Sequence, residues 1–128
     1  MYIVSVQAHY DSAHFLRSYH GKCEQLHGHR YVVEAALATD TLGEGGLAFD
    51  FVDIKRELRA IADELDHNNL NDLPPFTDLE PSAENQARYI YEEMKKRLPP
   101  EMSKALLYTR VWETPTQWAQ YSERQLFF

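Results

Sequence analysis

Four of the six histidines in this chain fall between residues 14 and 29. Residues two apart on a strand point to the same face, so His27 and His29, flanking Gly28, present their imidazoles side by side as a chelating pair. His14 lies at the far end of the preceding strand, and a loop back between antiparallel neighbours brings it opposite the pair. Three histidines leave a fourth coordination position open, the pattern of a catalytic zinc site in contrast to a closed four-ligand structural one. The same His-x-His also reads as surface histidines on an edge strand, and His20 in the intervening loop competes for the third place.

Other residues suit chemistry beside such a site. Cys23 enters the second strand four residues before His27; a cation nearby, a metal or Lys22, lowers a thiol's pKa and makes it a base or nucleophile. A lone cysteine is otherwise a small buried hydrophobe. Asp66-His67 follows an apolar helical pattern, and the carboxylate either fixes the ring's tautomer as part of a proton relay or simply ends a helix. Glu113 closes a strand before Thr114-Pro115. There it accepts two parallel N–H bonds from a guanidine-like edge or stands exposed. From His14 to Arg30 the chain carries Arg17, Lys22 and Arg30 against one acid, Glu24, a positive window that attracts an anionic substrate.

This window sits in an acidic protein. The 128 residues are 44% hydrophobic and carry 13 Lys+Arg against 20 Asp+Glu, a formal charge of −7. An acidic balance argues against a nucleic-acid surface and leaves a small molecule as the expected partner. One cysteine cannot form an intramolecular disulfide, which fits a reducing compartment. The first residues have no basic leader, and no run approaches the roughly 18 apolar residues of a membrane span. The expected location is cytoplasmic, with no membrane partner.

The elements that must position these residues follow from periodicity. Residues 2–12 and 29–39 alternate in polarity and predict strands. Asp50 and Asp53 suit a helix start, and Ile54, Leu58, Ile61 and Leu65 make a one-faced helix. After a loop at 68–81, Ser82 caps a second helix with the stripe Ala83, Ala87, Ile90, Met94 and Leu98, which Pro99-Pro100 stops. Residues 105–113 predict a strand with Leu107, Thr109, Val111 and Glu113 on one face, and 117–127 a last one. The order β, β, α, α, β, β predicts an α+β fold, an antiparallel sheet covered on one face by two helices. No repeat or linker divides residues 1–128, so a single domain is expected.

In this order, Ser12-Ala13-His14, Cys23-x-x-x-His27-Gly28-His29, Gly46 to Phe51, Leu65-Asp66-His67, Leu70-Asn71, Pro81 to Asn85 and Val111 to Thr114 resemble the 6-pyruvoyltetrahydropterin synthase and 6-carboxytetrahydropterin synthase family. The resemblance implies a tunnelling fold, a four-stranded antiparallel sheet with two helices whose sheets join into a trimeric barrel, two trimers stacking into a homohexamer with active sites between subunits. It implies zinc on His14, His27 and His29, Cys23 as the base, Asp66 and His67 as its relay from a neighbouring chain, and Glu113 as anchor of a pterin ring. The implied substrate is 7,8-dihydroneopterin triphosphate, whose side chain the zinc activates toward proton loss. The spacing of Cys23 to His-Gly-His resembles the queuosine-pathway enzymes, which leave a 6-carboxy group and release acetaldehyde and triphosphate. Glu24 also satisfies the Glu-x-x-His-Gly-His of a folate-type group that releases 6-hydroxymethyl-7,8-dihydropterin, so one or both products are implied. A silent zinc- or pterin-binding module is the non-enzymatic alternative.

Overall fold

The computed structural model describes residues 1–18, Gly21 and 24–124. Two long strands, β1 (Tyr2–His14) and β2 (His27–Thr39), are followed by helices α1 (Phe51–Leu65), α2 (Ala83–Arg97) and the short α3 (Pro100–Ala105), then strands β3 (Leu106–Thr114) and β4 (Gln117–Tyr121). The strands form one antiparallel sheet in the order β1-β2-β3-β4.

Alternation decides which face is buried. Val6, Ala8, Tyr10, Ser12 and His14 of β1 and Tyr31, Val33, Ala35 and Leu37 of β2 lie on the face of the main core, while Gln7, His9 and Asp11 of β1 and Val32, Glu34 and Ala36 of β2 alternate onto the other face. The helices cover that same face with Ile54, Leu58, Ile61 and Leu65 from α1 and Ala87, Ile90 and Met94 from α2. Their starts are capped as the residue types dictate. Asp50 accepts from the Val52 N–H at 2.9 Å and Ser82 from the Asn85 N–H at 3.2 Å, each satisfying a donor the helix leaves orphaned.

Three expectations need correction. The strands at the site are longer than alternation alone indicated, reaching His14 and beginning at His27. A third helix follows α2, because Pro100 ends one helix yet suits the first position of the next, where its missing N–H costs nothing. Leu107 does not share the face of Thr109 and Val111. A register shift between Ala36 and Leu37 turns Leu106 into the main core and leaves Leu107 with Ala36, Ala38 and Tyr108 in a separate cluster.

The segment after α1 is fastened back onto the end of β1. The Ala13 N–H donates to the Asn68 carbonyl at 3.0 Å, and Asn71 brackets Phe15 by accepting from its N–H and donating to its carbonyl. The Ser12 hydroxyl donates to the Leu65 carbonyl. These bonds carry the chain past His14 and deliver Pro81 beside it.

Candidate metal centre

The β1–β2 register places His14 opposite His27 and Ser12 opposite His29, so one hairpin end collects all three imidazoles. Glu113 joins them from β3, at a register shift between Trp112 and Thr114. Among the described residues, His14, His27, His29 and Glu113 form a group whose donor atoms all lie within 4.8 Å of one another. His14 Nε2 is 3.0 Å from His27 Nε2 and 3.2 Å from Glu113 Oε1, and His29 Nε2 is 3.8 Å from that same oxygen.

Backbone carbonyls set the tautomers. His14 Nδ1 is 2.7 Å from the Pro81 carbonyl and His27 Nδ1 2.7 Å from that of Gln25. A carbonyl only accepts, so each Nδ1 carries the hydrogen. In the neutral rings both Nε2 lone pairs then face each other and the Glu113 carboxylate. Such a meeting of acceptors is repulsive unless a proton or a cation lies among them. Metal-binding histidines are held in this way, the second nitrogen donating to a carbonyl. For metal bonds of about 2.0–2.1 Å, neighbouring corners of a tetrahedron are about 3.3 Å apart, close to the separations found here. Three imidazoles and a carboxylate therefore fit a divalent transition-metal ion.

The surroundings reinforce the arrangement. Burial pushes His29 below the usual histidine range, as do the His27 and His14 rings, while Glu113 opposes. Glu113 is held below the usual carboxylate range, first by its contact with His14, against its burial and helped by the charges of the other rings. The first shift favours neutral His29 and the second ionised Glu113, the forms that bind a metal; the second draws on positive charge among the rings, which a cation supplies as a proton does. Beside the cluster opens a cleft of about 660 Å³, with His29 and Glu113 on its polar side and Val32, Trp112 and Pro115 on its apolar side. Its size falls within the range of about 300–1,000 Å³ of small-molecule sites.

A scan against family models matches residues 3–124 to the one described as 6-pyruvoyl tetrahydropterin synthase. The chain belongs to this family. Among curated relatives, a 6-carboxy-5,6,7,8-tetrahydropterin synthase of Aquifex aeolicus is 33% identical over 126 aligned positions, covering 80% of this chain and 76% of the relative. A dihydroneopterin monophosphate aldolase of Pyrococcus furiosus is 31% identical over 107 positions, covering 84% and 85%. The solved Caenorhabditis elegans 6-pyruvoyl tetrahydropterin synthase superposes with a TM-score of 0.84 at 27% identity, over 97% of this chain and 98% of that one. The four-stranded sheet and its helices are thus the tunnelling fold expected from the sequence.

The remaining expected residues divide. Asp66 and His67 are paired: His67 Nδ1 donates to Asp66 Oδ2 at 2.7 Å, while Asp66 Oδ1 accepts from the Asp11 N–H at 2.7 Å. His67 adopts φ +56°, the left-handed region, and is exposed. It lines a cleft of about 530 Å³ together with His29. Glu24 is exposed, its N–H donating to the Gly21 carbonyl. Cys23, Lys22 and His20 lie outside the described residues. Two cations of the positive window have partners among the described residues. The Arg17 guanidinium donates to the carbonyls of Leu79, Asn71 and Phe76, and Arg30 pairs with Asp11 at 2.9 Å.

Sequence reasoning missed the supports. Buried Gln86 donates to the Pro81 carbonyl at 2.9 Å and accepts from the Tyr10 hydroxyl at 2.6 Å. The carbonyl that orients His14 is thereby held from the core. A glutamine on the apolar face of α2 was the available signal.

Proposed function

We propose that the chain is a zinc-dependent 6-carboxy-5,6,7,8-tetrahydropterin synthase acting on 7,8-dihydroneopterin triphosphate, with loss of acetaldehyde and triphosphate. The observation that carries the proposal is the convergence of His14, His27, His29 and Glu113 beside an open cleft, in a chain whose relatives include enzymes of that name. His14, His27 and His29 hold the zinc, which as a Lewis acid acidifies the substrate's side chain. Glu113 binds the 2-amino and N3–H edge of the pterin through two parallel hydrogen bonds. Cys23 removes the side-chain proton, and its spacing to His27-Gly28-His29 supports the assignment. Asp66 fixes His67 with Nδ1 protonated, leaving Nε2 to accept and return a proton. The working form is a homohexamer in the cytoplasm, with Asp66 and His67 serving the Cys23 of a neighbouring subunit.

The relative named as an aldolase and the adjacency of Glu24 to Cys23 favour a second reading, cleavage to 6-hydroxymethyl-7,8-dihydropterin through Glu24. Mass spectrometry of the products from zinc-loaded protein separates the two. A 6-carboxypterin with acetaldehyde, lost in Cys23→Ala and kept in Glu24→Ala, supports the first reading. A 6-hydroxymethyl product with the reverse dependence replaces it by the second. Binding of metal and pterin without any release of triphosphate overturns both.

A further inference from the structure

Arg30 follows His29 of the candidate metal centre and borders two clefts. Gly28, His29 and Arg30 line both the cleft of about 660 Å³ that contains Glu113 and the cleft of about 530 Å³ that contains His67. Among the described residues lining either one, Arg30 is the only lysine or arginine. Register explains how it is held. Arg30 lies directly opposite Asp11 in the β1–β2 pair, and opposite charges facing each other across two strands attract. The contact is side-on: Nε donates to Asp11 Oδ1 at 2.9 Å and Nη2 to Oδ2 at 3.2 Å. A guanidinium carries five N–H donors in one rigid plane. Two are taken, and the other three, both on Nη1 and one on Nη2, meet no acceptor among the described residues. The side chain is 66% exposed. A fork held from one side with its outer edge free suits an oxyanion that accepts two parallel bonds, above all a phosphate.

We propose that Arg30 binds the phosphate tail of the substrate and sets the preference for a phosphorylated pterin over the free pterin alcohol. A ligand whose ring edge meets Glu113 and whose side chain passes the histidines leaves its tail to the divide between the clefts, where Arg30 offers Nη1 and Nη2. Asp11 keeps its own bonds and fixes the plane of the guanidinium, so the fork is ordered before the ligand arrives and little side-chain freedom is lost on binding. Arg30 and Asp11 together are neutral, so the selectivity comes from hydrogen-bond geometry at short range and not from attraction at a distance. This rests on the reading of Glu113 as the pterin anchor and of the three histidines as metal ligands, and it adds the residue that recognises the far end of the substrate.

Neopterin triphosphate and neopterin, fluorescent oxidised analogues of the substrate and its alcohol, share ring and side-chain hydroxyls and differ only in the phosphates. Fluorescence titration of the zinc-loaded protein with each gives two Kd values, and their ratio isolates the tail as a matter of binding, not turnover. Wild type binds the triphosphate more tightly. Arg30→Gln raises the Kd of neopterin triphosphate by about tenfold to a hundredfold, the worth of hydrogen bonds to a charged group, and leaves that of neopterin unchanged. Its urea midpoint stays near that of wild type, because an exposed ion pair contributes little to stability. Arg30→Lys keeps the charge without the fork and recovers part of the preference. A ratio that Arg30→Gln does not alter, whether both ligands weaken together or neither does, overturns the proposal, as does a wild type that binds both equally. Wild-type protein that binds neither ligand overturns instead the pterin-site reading on which the proposal stands.

Discussion

Replacing Gln86 by leucine tests whether the core holds the metal centre. Gln86 and Tyr10 are both fully buried, and the Tyr10 hydroxyl donates to Gln86 Oε1 at 2.6 Å. Gln86→Leu strands that hydroxyl in the core at a cost of about 1–3 kcal/mol, and Tyr10→Phe strands the Gln86 oxygen at a similar cost. The Pro81 carbonyl, which also loses its bond from Gln86, keeps the one from His14 Nδ1. The double variant leaves neither side-chain orphan, so it falls short of the sum of the singles by both orphan costs together, about 2–6 kcal/mol, a non-additivity that marks directly bonded partners. Urea denaturation of chelator-stripped protein at fixed protomer concentration measures it, since both metal and assembly otherwise shift the midpoint. The functional arm follows from Pro81. With Gln86 gone, the carbonyl that orients His14 is held less firmly, and the Kd for cobalt(II), used in place of zinc and measured by chelator competition, rises by about tenfold, the lower end for outer supports of a metal ligand. Additive single costs would refute the buried bond. A loss of stability with an unchanged cobalt Kd would refute the link from core to centre.

Two further outcomes follow from local geometry. The Asp66 carboxyl is held below the ordinary carboxylate range, first by the Asp11 N–H and then by His67, against partial desolvation. A folded value below the unfolded one, about 3.9, means its contribution is complete above that pH and vanishes as pH falls through the folded value. Between about pH 5 and pH 2 the urea midpoint of Asp66→Asn therefore falls less than that of wild type, and parallel curves would show that no such linkage exists. Ser82→Ala removes the cap on α2 and lowers stability by about 1 kcal/mol; a midpoint within error of wild type would mean that solvent satisfies the Asn85 N–H equally well.

What sequence made legible was whatever resides in side-chain type and period. Strand alternation predicted a shared face for His27 and His29, and hairpin pairing predicted His14 opposite them; the register joins all three. Asp50 and Ser82 were readable as caps because capping depends on a side-chain oxygen at one place in the chain. The misses have a different physical origin. Leu107 was assigned to the wrong face because a bulge adds one residue, and one residue inverts every side chain after it. The carbonyls of Pro81 and Gln25 were invisible because every residue type offers the same backbone acceptor; only the course of the loop selects which ones meet a histidine. Arg30 counted toward a positive window until Asp11 was found beside it, because counting charges does not say which opposite charge the register sets alongside. Glu113 shows both limits at once. Its type announced a hydrogen-bond acceptor for a cationic or amide edge, and the register shift at Trp112 sets that acceptor against His14. A carboxylate can be given a partner by its type, but only its placement by the backbone reveals that it stands against the histidines.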